Sequence, residues 1–389
     1  MTTPRPRWAT ITRLLGLVAL AALVAALALA LVYRSWVGAQ VRFIGVLSTT
    51  NRTPVVSWLV GLVTADPRVE EAVVAGMQTT VVRPGRGARW PAVVFVNGAT
   101  ARGRHHPDVQ RLAHALGRAG YLVLVPDLPG LRRGEITPRT AAATAAVARE
   151  AADRPDTKGG RVGLVGVSVG GTLALLAAED PALAKRISVV AAFAPYTDLR
   201  KVIRLATTGL YALEGALVPY RTATSLPLVV TRSVIAGTLP EPDRTYVLAR
   251  LPAVNGHPED PLARLRSLPR AALAPDSRAL VALLANREPG RFEELFRALP
   301  PATRAGIRRM SPLVRARALR APVEIASAPH DKYFPPAESR ALTKRAPHVR
   351  LTVTTTLAHA IPKLSFGDAG DLIRFDAFGV RVLHALADA

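Results

Sequence analysis

Strand-like and helix-like segments alternate along two parts of this chain, a pattern typical of a parallel sheet with right-handed crossover connections. The first part opens with predicted strands at residues 77–82 and 92–96, and the turn Pro84-Gly85-Arg86-Gly87 between them favours a hairpin-like start. Six further elements are predicted in this part, namely helices 108–119, 140–152 and 169–178 and strands 121–125, 161–165 and 187–192. The pattern predicts the α/β class with a mostly parallel, doubly wound sheet.

The alternation stops at residues 199–310, where prolines such as Pro219 and Pro240 break up helical segments. It then returns in four predicted elements, namely strands 323–326 and 349–354 and helices 336–345 and 372–386. We therefore expect an α/β core made of residues 76–198 and 311–389, with residues 199–310 inserted as a helical lid or cap.

The N-terminal region contains an uncharged apolar run at residues 14–32, preceded by a short basic tail, residues 1–13. Nineteen helical residues span roughly 28 Å, close to the thickness of the hydrocarbon core of a bilayer. A cleaved signal peptide is the alternative, because Ala28 and Ala30 offer small residues for cleavage, but its apolar region would be shorter. We predict an uncleaved transmembrane anchor.

Arginines flank this run almost equally on both sides, so the positive-inside rule decides its orientation weakly. Because the run behaves as a signal anchor, we expect a cell-membrane protein with the tail in the cytoplasm and the folded domain on the extracytoplasmic side. Residues 33–75 are predicted to be a connecting region. Within them, the apolar patch 55–63 is too short to span, and we expect a helix lying against the membrane or the domain.

Composition narrows the classes of function. A length of 389 residues with 49% hydrophobic content suits one large α/β domain plus an appendage. The net charge of +23 is spread along the chain and aromatic residues make up 5%, so we expect a solvated basic surface and no nucleic-acid partner; attraction to acidic lipids is the main alternative. The absence of cysteine excludes disulfides, thiolate metal sites and cysteine nucleophiles.

The strongest chemical signal is Gly166-Val167-Ser168-Val169-Gly170, a G-x-S-x-G motif between a predicted strand and a predicted helix. A nucleophile elbow requires a strained strand-to-helix turn with glycines on both sides, since a Cβ there would clash with the neighbouring backbone. The alternatives are a glycine-rich turn that only packs and a phosphate-binding loop, although no Walker lysine follows. We predict Ser168 to be a nucleophile.

A serine hydroxyl needs a base, and the base needs an acid that orients it. Asp331 follows the predicted strand 323–326, and His359 follows the next one, 349–354, which is the chain order expected after a nucleophile elbow. His330 and His348 are competing bases, but His330 adjoins the acid and His348 precedes its strand. We predict Asp331 and His359 to complete the triad.

Acyl transfer also needs hydrogen-bond donors for an oxyanion. We expect these to be the backbone amides of Val169, directly after the nucleophile, and Ala99, in the loop after strand 92–96. His105 and His106 near Asp108 could suggest a metal site, but no third ligand is evident, so surface or gating roles are favoured and no metal is expected.

These motifs together resemble the α/β-hydrolase superfamily, in particular its dienelactone-hydrolase-like and acyl-esterase-like members. The resemblance covers residues 76–389 except most of 199–310. It depends on Asn97-Gly98, Val125-Pro126-Asp127, Pro129-Gly130, Gly166 to Gly171, Asp331 with Phe334-Pro335, and His359. Two positions depart from the family pattern, since Asn97 stands where His is common and Ala328 where Gly is common.

The resemblance implies a serine hydrolase acting on an ester, thioester or related acyl bond, with no cofactor. A small-molecule or lipid acyl substrate is expected, and the sequence indicates no oligomeric state. Two alternatives stay open: an acyltransferase using the same triad, and a membrane-tethered binding protein on a hydrolase scaffold.

Overall fold

An eight-stranded sheet forms the centre of the molecule. The computed structural model of the chain describes residues 18–20, 23–24, 33–51, 64–256, 259–359, 361–362 and 368–388. Its strands are β1 (Arg68–Val74), β2 (Met77–Arg83), β3 (Trp90–Val96), β4 (Leu122–Pro126), β5 (Thr157–Val167), β6 (Ile187–Phe193), β7 (Leu210–Leu213), β8 (Ala216–Pro219), β9 (Val323–Ser327), β10 (Val349–Val353), β11 (Leu357–Ala358) and β12 (Ile361–Pro362). The main sheet has the order β1-β2-β4-β3-β5-β6-β9-β10, whereas β7-β8 and β11-β12 form separate two-stranded pairs. The six strands from β4 to β10 in this order run parallel to one another, so the predicted α/β class is confirmed.

Thirteen α-helices lie within the described residues from 33 onward. They are α1 (Arg34–Asn51), α2 (Pro107–Arg118), α3 (Pro138–Asp153), α4 (Val169–Ala178), α5 (Leu199–Thr208), α6 (Ser225–Thr238), α7 (Asp243–Leu248), α8 (Ala263–Arg266), α9 (Pro275–Leu284), α10 (Phe292–Arg297), α11 (Pro301–Arg309), α12 (Pro336–Thr343) and α13 (Ala369–Ala387). Helices α1, α2 and α13 pack on one face of the sheet, and α3, α4 and α12 pack on the other. The sheet is therefore covered on both faces.

Strand β3 shows why the sheet is buried on both sides. Its alternate residues point to opposite faces, so that Val93 and Phe95 join the core beneath α1, α2 and α13, while Val94 and Val96 join the core on the α3–α4 side. All four side chains are 0–2% exposed. A nearly continuous apolar run is what a strand needs when neither face meets water.

The start of the core differs from the hairpin expected between residues 77–82 and 92–96. Strand β2 pairs antiparallel with β1 and with β4, so β4 separates it from β3. The hairpin is instead β1–β2, turning at Ala75-Gly76, where both residues have positive φ. Strand β1 was not predicted because its Arg, Glu and Val side chains do not alternate in polarity. This edge strand faces solvent along most of its length.

The predicted connecting region 33–75 contains β1 and the 18-residue helix α1. Buried Phe43 and Val46 attach α1 to the core. The predicted anchor, residues 14–32, lies almost wholly outside the described residues, and the patch 55–63 lies entirely outside them. Of the helices that are described, none is both long and apolar enough to cross a bilayer.

Residues 199–310 form helices α5–α11 and the hairpin β7–β8. A buried ion pair attaches this insertion to the core, with Arg232 Nη2 2.6 Å from Glu135 Oε1. Beside it, the Ser233 hydroxyl donates to the Gly134 carbonyl and accepts from the Ile136 amide, both at 3.0 Å. These contacts place α6 over the loop that follows β4.

Candidate active site

Ser168 occupies the turn between β5 and α4. Its backbone has φ 56° and ψ −127°, a conformation that a residue with a side chain adopts only when the surrounding structure enforces it. The Ser168 amide donates to the Phe193 carbonyl at the end of β6, 2.7 Å away, which fixes the turn against the neighbouring strand. This is the strand–turn–helix geometry predicted for a nucleophile elbow.

The glycines on either side of Ser168 are required by close backbone contacts. A Cβ on Gly166 would lie 2.3 Å from the Gly170 carbonyl oxygen, and a Cβ on Gly170 would lie 2.2 Å from the Val96 carbonyl oxygen. Both distances are far below contact distance, and both neighbours are backbone atoms that cannot rotate away. The motif therefore holds the turn for a steric reason, as the sequence predicted.

Asp331 and His359 meet at the carboxyl ends of β9 and β10. His359 Nδ1 lies 2.8 Å from Asp331 Oδ2 and 3.0 Å from Oδ1. The Asp331 side chain is fully buried, whereas that of His359 is 20% exposed. A buried carboxylate at this distance favours the tautomer with a proton on Nδ1 and leaves Nε2 free to accept one.

Local hydrogen bonds hold Asp331 in place. Its Oδ1 accepts from the Tyr333 amide at 2.8 Å and the Phe334 amide at 3.0 Å, so the carboxylate is fixed by its own turn. From the insertion, the Tyr220 hydroxyl donates to the Asp331 carbonyl. The Tyr333 ring lies 4.3 Å from the His359 ring and packs against it. Neither tyrosine could be predicted as a site residue from sequence patterns, because their contacts are set by loop packing.

A cavity of about 730 Å³ contains both Ser168 and His359 on its wall. Core residues such as Leu112 form one side, and residues of the insertion, Leu226 and Val229 among them, form another. Apolar side chains predominate, with polar groups such as Arg102, His106, Asp108 and Asn255 interspersed. Its size and lining suit a small organic substrate.

The loop after β3 lies beside the nucleophile. A Cβ on Gly98 would lie 3.5 Å from the Ser168 Cβ, and Ala99 lines the cavity. Val169 is the first residue of α4, so its amide has no acceptor within its own helix. The Asn97 carboxamide, 1% exposed, donates to the Gly98 carbonyl at 2.8 Å. Asn97 thus orders the loop at the position where the family pattern commonly has His.

The competing histidines lie elsewhere. His330 and His348 are exposed, and neither lines the cavity. His106 does line it; its Nδ1 accepts from the Asp108 amide at 3.3 Å and caps α2. Within the described ranges, no group of three or more His, Asp or Glu side chains is arranged to hold a metal ion.

Residues 75–245 match the family described as X-Pro dipeptidyl-peptidase (S15 family). This segment is less than half of the chain; it includes Ser168 and ends before Asp331 and His359. No match to a curated protein was found.

Several solved structures are similar to this chain at low identity. Est1E from Butyrivibrio proteoclasticus is 13% identical with a TM-score of 0.46, and the likeness covers 83% of this chain and all of that one. The acylaminoacyl peptidase of Pyrococcus horikoshii is 14% identical with a TM-score of 0.44, covering 82% of this chain and 40% of the peptidase. The dienelactone hydrolase of Anabaena variabilis is 16% identical with a TM-score of 0.42, covering 82% and 97%. The family match and the mostly parallel sheet together indicate a serine hydrolase of the α/β-hydrolase fold.

Proposed function

We propose that this protein hydrolyses a carboxylic ester or related acyl bond, with Ser168 as nucleophile, His359 as general base and Asp331 as the acid that orients the base. One observation carries the proposal. Ser168, in a strained strand-to-helix turn, shares a cavity with His359, whose Nδ1 is held by the buried Asp331 carboxylate.

In the proposed first step, His359 Nε2 takes the hydroxyl proton of Ser168 while Oγ forms a bond to the acyl carbon. The protonated imidazole then gives that proton to the leaving alcohol, which leaves an acyl-enzyme. Water, deprotonated by His359, attacks the acyl carbon and releases the acid together with the free serine. Asp331 stays ionised throughout and stabilises the imidazolium.

Two backbone amides are proposed to bind the oxyanion, those of Val169 and Ala99. Val169 follows the nucleophile at the start of α4, where the amide is free of helical hydrogen bonds and the helix dipole favours negative charge. Ala99 lines the same cavity from the opposite loop. Each donor of this kind contributes about 3–4 kcal/mol to transition-state stabilisation.

Ester cleavage is proposed ahead of peptide cleavage because apolar side chains dominate the cavity wall, including Val109, Leu112, Leu226 and Val229. Such a wall suits a hydrocarbon acyl chain better than a polar peptide. Peptide hydrolysis is the second candidate, and the match of residues 75–245 to a peptidase family is the observation in its favour.

Purified full-length protein in detergent should be assayed with p-nitrophenyl esters of increasing acyl length and with dipeptidyl p-nitroanilides that carry proline beside the scissile bond. We expect kcat/KM for the preferred ester to exceed that for any anilide, with Ser168→Ala inactive on both. The reverse order would favour the peptidase.

Adding an alcohol acceptor separates hydrolysis from acyl transfer, since a transferase would form the new ester faster than the free acid. If folded protein neither cleaves nor transfers the acyl group of any substrate, the result would favour a binding protein.

We further propose that residues 14–32 anchor the protein in the cell membrane, with the hydrolase domain on the extracytoplasmic side and residues 199–310 acting as a lid. The anchor rests on the length and apolar character of its sequence. Protease treatment of intact and permeabilised cells tests the orientation. Digestion of the domain in intact cells is expected, and protection until permeabilisation would contradict it.

A further inference from the structure

Helix α1 is apolar on two sides. Its inner side buries Ala39, Phe43 and Val46 against the core. The other side, here called the outer face of α1, consists of Val37, Val41 and Ile44 together with Tyr33, which directly precedes the helix; all four are 46–63% exposed. Their spacing of four, four and three residues places them along one stripe of the helix. A stripe of large apolar side chains at helical spacing is unusual on a solvated surface.

The outer face of α1 cannot turn inward, because α1 is firmly docked on α13. A Cβ on Gly379 would lie 2.0 Å from the Phe43 ring, so the two helices touch at this glycine. The Phe43 and Phe375 rings meet edge to face at 5.7 Å, and Gln40 Nε2 donates to Asp376 Oδ1 at 2.6 Å. At the start of α1, the Trp36 ring stacks on His384 at 3.9 Å. The domain therefore presents this stripe in a fixed direction.

Charge and position along the chain indicate what covers the stripe. Among the first 65 residues there are six arginines and no Asp or Glu, the first acidic residue being Asp66. The apolar run 14–32 ends two residues before α1 begins at Arg34. A helix with an exposed apolar stripe, with arginines and without acidic groups suits the surface of a bilayer that contains anionic lipids, and Trp and Tyr favour the same interface.

We propose that the outer face of α1 lies in the interface of an anionic lipid bilayer, so that α1 acts as a rigid base on which the hydrolase domain rests. This goes beyond the proposed chemistry and does not depend on it. Helix α2 lies between α1 and the active-site cavity. Leu112 of α2 lines the main cavity on one side and the small apolar space beneath Phe43 and Val46 on the other. A single helix therefore separates the lipid-facing base from the cavity.

The absence of cysteine allows a direct test on the full chain, because one introduced cysteine gives one labelled site. Val41→Cys and Ile44→Cys would report on the outer face of α1. Val314→Cys is the matched control, since Val314 is 47% exposed, like Ile44, and lies in the segment that packs beside α4 on the opposite side of the sheet. Each variant would carry an environment-sensitive fluorophore and be reconstituted into vesicles of phosphatidylcholine and phosphatidylglycerol.

We expect a quencher attached to the lipid acyl chains to quench the labels at 41 and 44 at least about threefold more than the label at 314. The reason is that an interfacial helix places its apolar side chains about 5–10 Å into the boundary between headgroups and acyl chains. Aqueous iodide should show the opposite order. Iodide quenching at 41 and 44 without lipid quenching would overturn the proposal. Shielding from both quenchers would also overturn it, by showing that a protein surface covers the stripe. Circular dichroism of each variant verifies the fold, and this readout does not depend on the proposed function.

Discussion

His359 Nδ1 and Asp331 Oδ2 lie 2.8 Å apart, although Asp331 belongs to the loop after β9 and His359 directly follows the short strand β11. The carboxylate has no exposed surface, so its charge acts on the imidazole with little screening by water. We interpret this pair as the oriented base of the proposed mechanism.

Replacing Asp331 by Asn should lower kcat by about three to four orders of magnitude with little change in KM, because a carboxamide cannot hold the tautomer that leaves Nε2 free. The fold should survive, since the carboxamide oxygen can still accept from the Tyr333 and Phe334 amides. Steady-state kinetics on the preferred ester measure the effect, and Asp153→Asn, at an exposed carboxylate, is the control. A kcat within about tenfold of wild type would exclude the assigned role of Asp331.

Gly170→Ala should destabilise the protein by about 1–3 kcal/mol or prevent folding, because its Cβ would collide with the Val96 carbonyl and force the turn to move. Gly290→Ala is the matched control, as a Cβ there meets no atom within 4 Å. Urea unfolding followed by circular dichroism gives both free energies. Equal stability of the two variants would show that the turn is less constrained than the structure implies.

Glu179 should make stability depend on pH. It is 4% exposed at the end of α4, and burial raises its pKa from the usual 4.5 to about 8, opposed only partly by Arg315 at 4.0 Å. Between these values the folded protein keeps a proton that the unfolded chain has lost, so this group's contribution to stability falls as pH rises through that window.

The variant Glu179→Gln removes this titration. We expect it to match wild type near about pH 4 and to be more stable by roughly 1–3 kcal/mol near about pH 9. Thermal unfolding across this range measures the difference, with the exposed Glu288→Gln as the control. A constant difference at all pH values would contradict the assignment.

Val229→Trp should shorten the acyl chain that the enzyme accepts, because Val229 lines the cavity from the insertion. We expect kcat/KM for long-chain esters to fall by about tenfold while that for acetate esters stays within about twofold, since the larger side chain fills part of the cavity, removes room for methylenes and leaves the proposed triad unchanged. Val314→Trp, at an exposed position, is the control. An equal loss on all esters would indicate general damage to the site.

Local patterns predicted the elements around the candidate site well. Helix α4 spans the same residues, 169–178, that the sequence predicted, because the glycine-flanked turn marks where the strand ends and the helix begins. Asp331 and His359 could be paired in advance, since carboxyl ends of parallel strands share one edge of a sheet. The distance between the two side chains could not be predicted, because it depends on how the turn through Tyr333 and Phe334 folds.

Long-range packing decided what the sequence could not show. The stripe on each side of α1 gives no clean amphipathic pattern, and the contact that fixes the helix joins Phe43 to Gly379, more than 300 residues away in the chain. Strand β1 lacks alternation because it is an exposed edge. The pairing of β2 with β4 likewise depends on tertiary contacts, so the turn after β2 misleadingly favoured a hairpin with β3.

Labelling by a fluorophosphonate probe tests the central claim most directly, because the probe bonds to a serine only when a base activates it. Full-length wild type, Ser168→Ala and His359→Ala would be compared in detergent, with His348→Ala as a control at an exposed histidine outside the cavity. The account predicts strong labelling of wild type and His348→Ala and its loss in the other two. Labelling that persists in Ser168→Ala, or folded wild type that never labels, would contradict it.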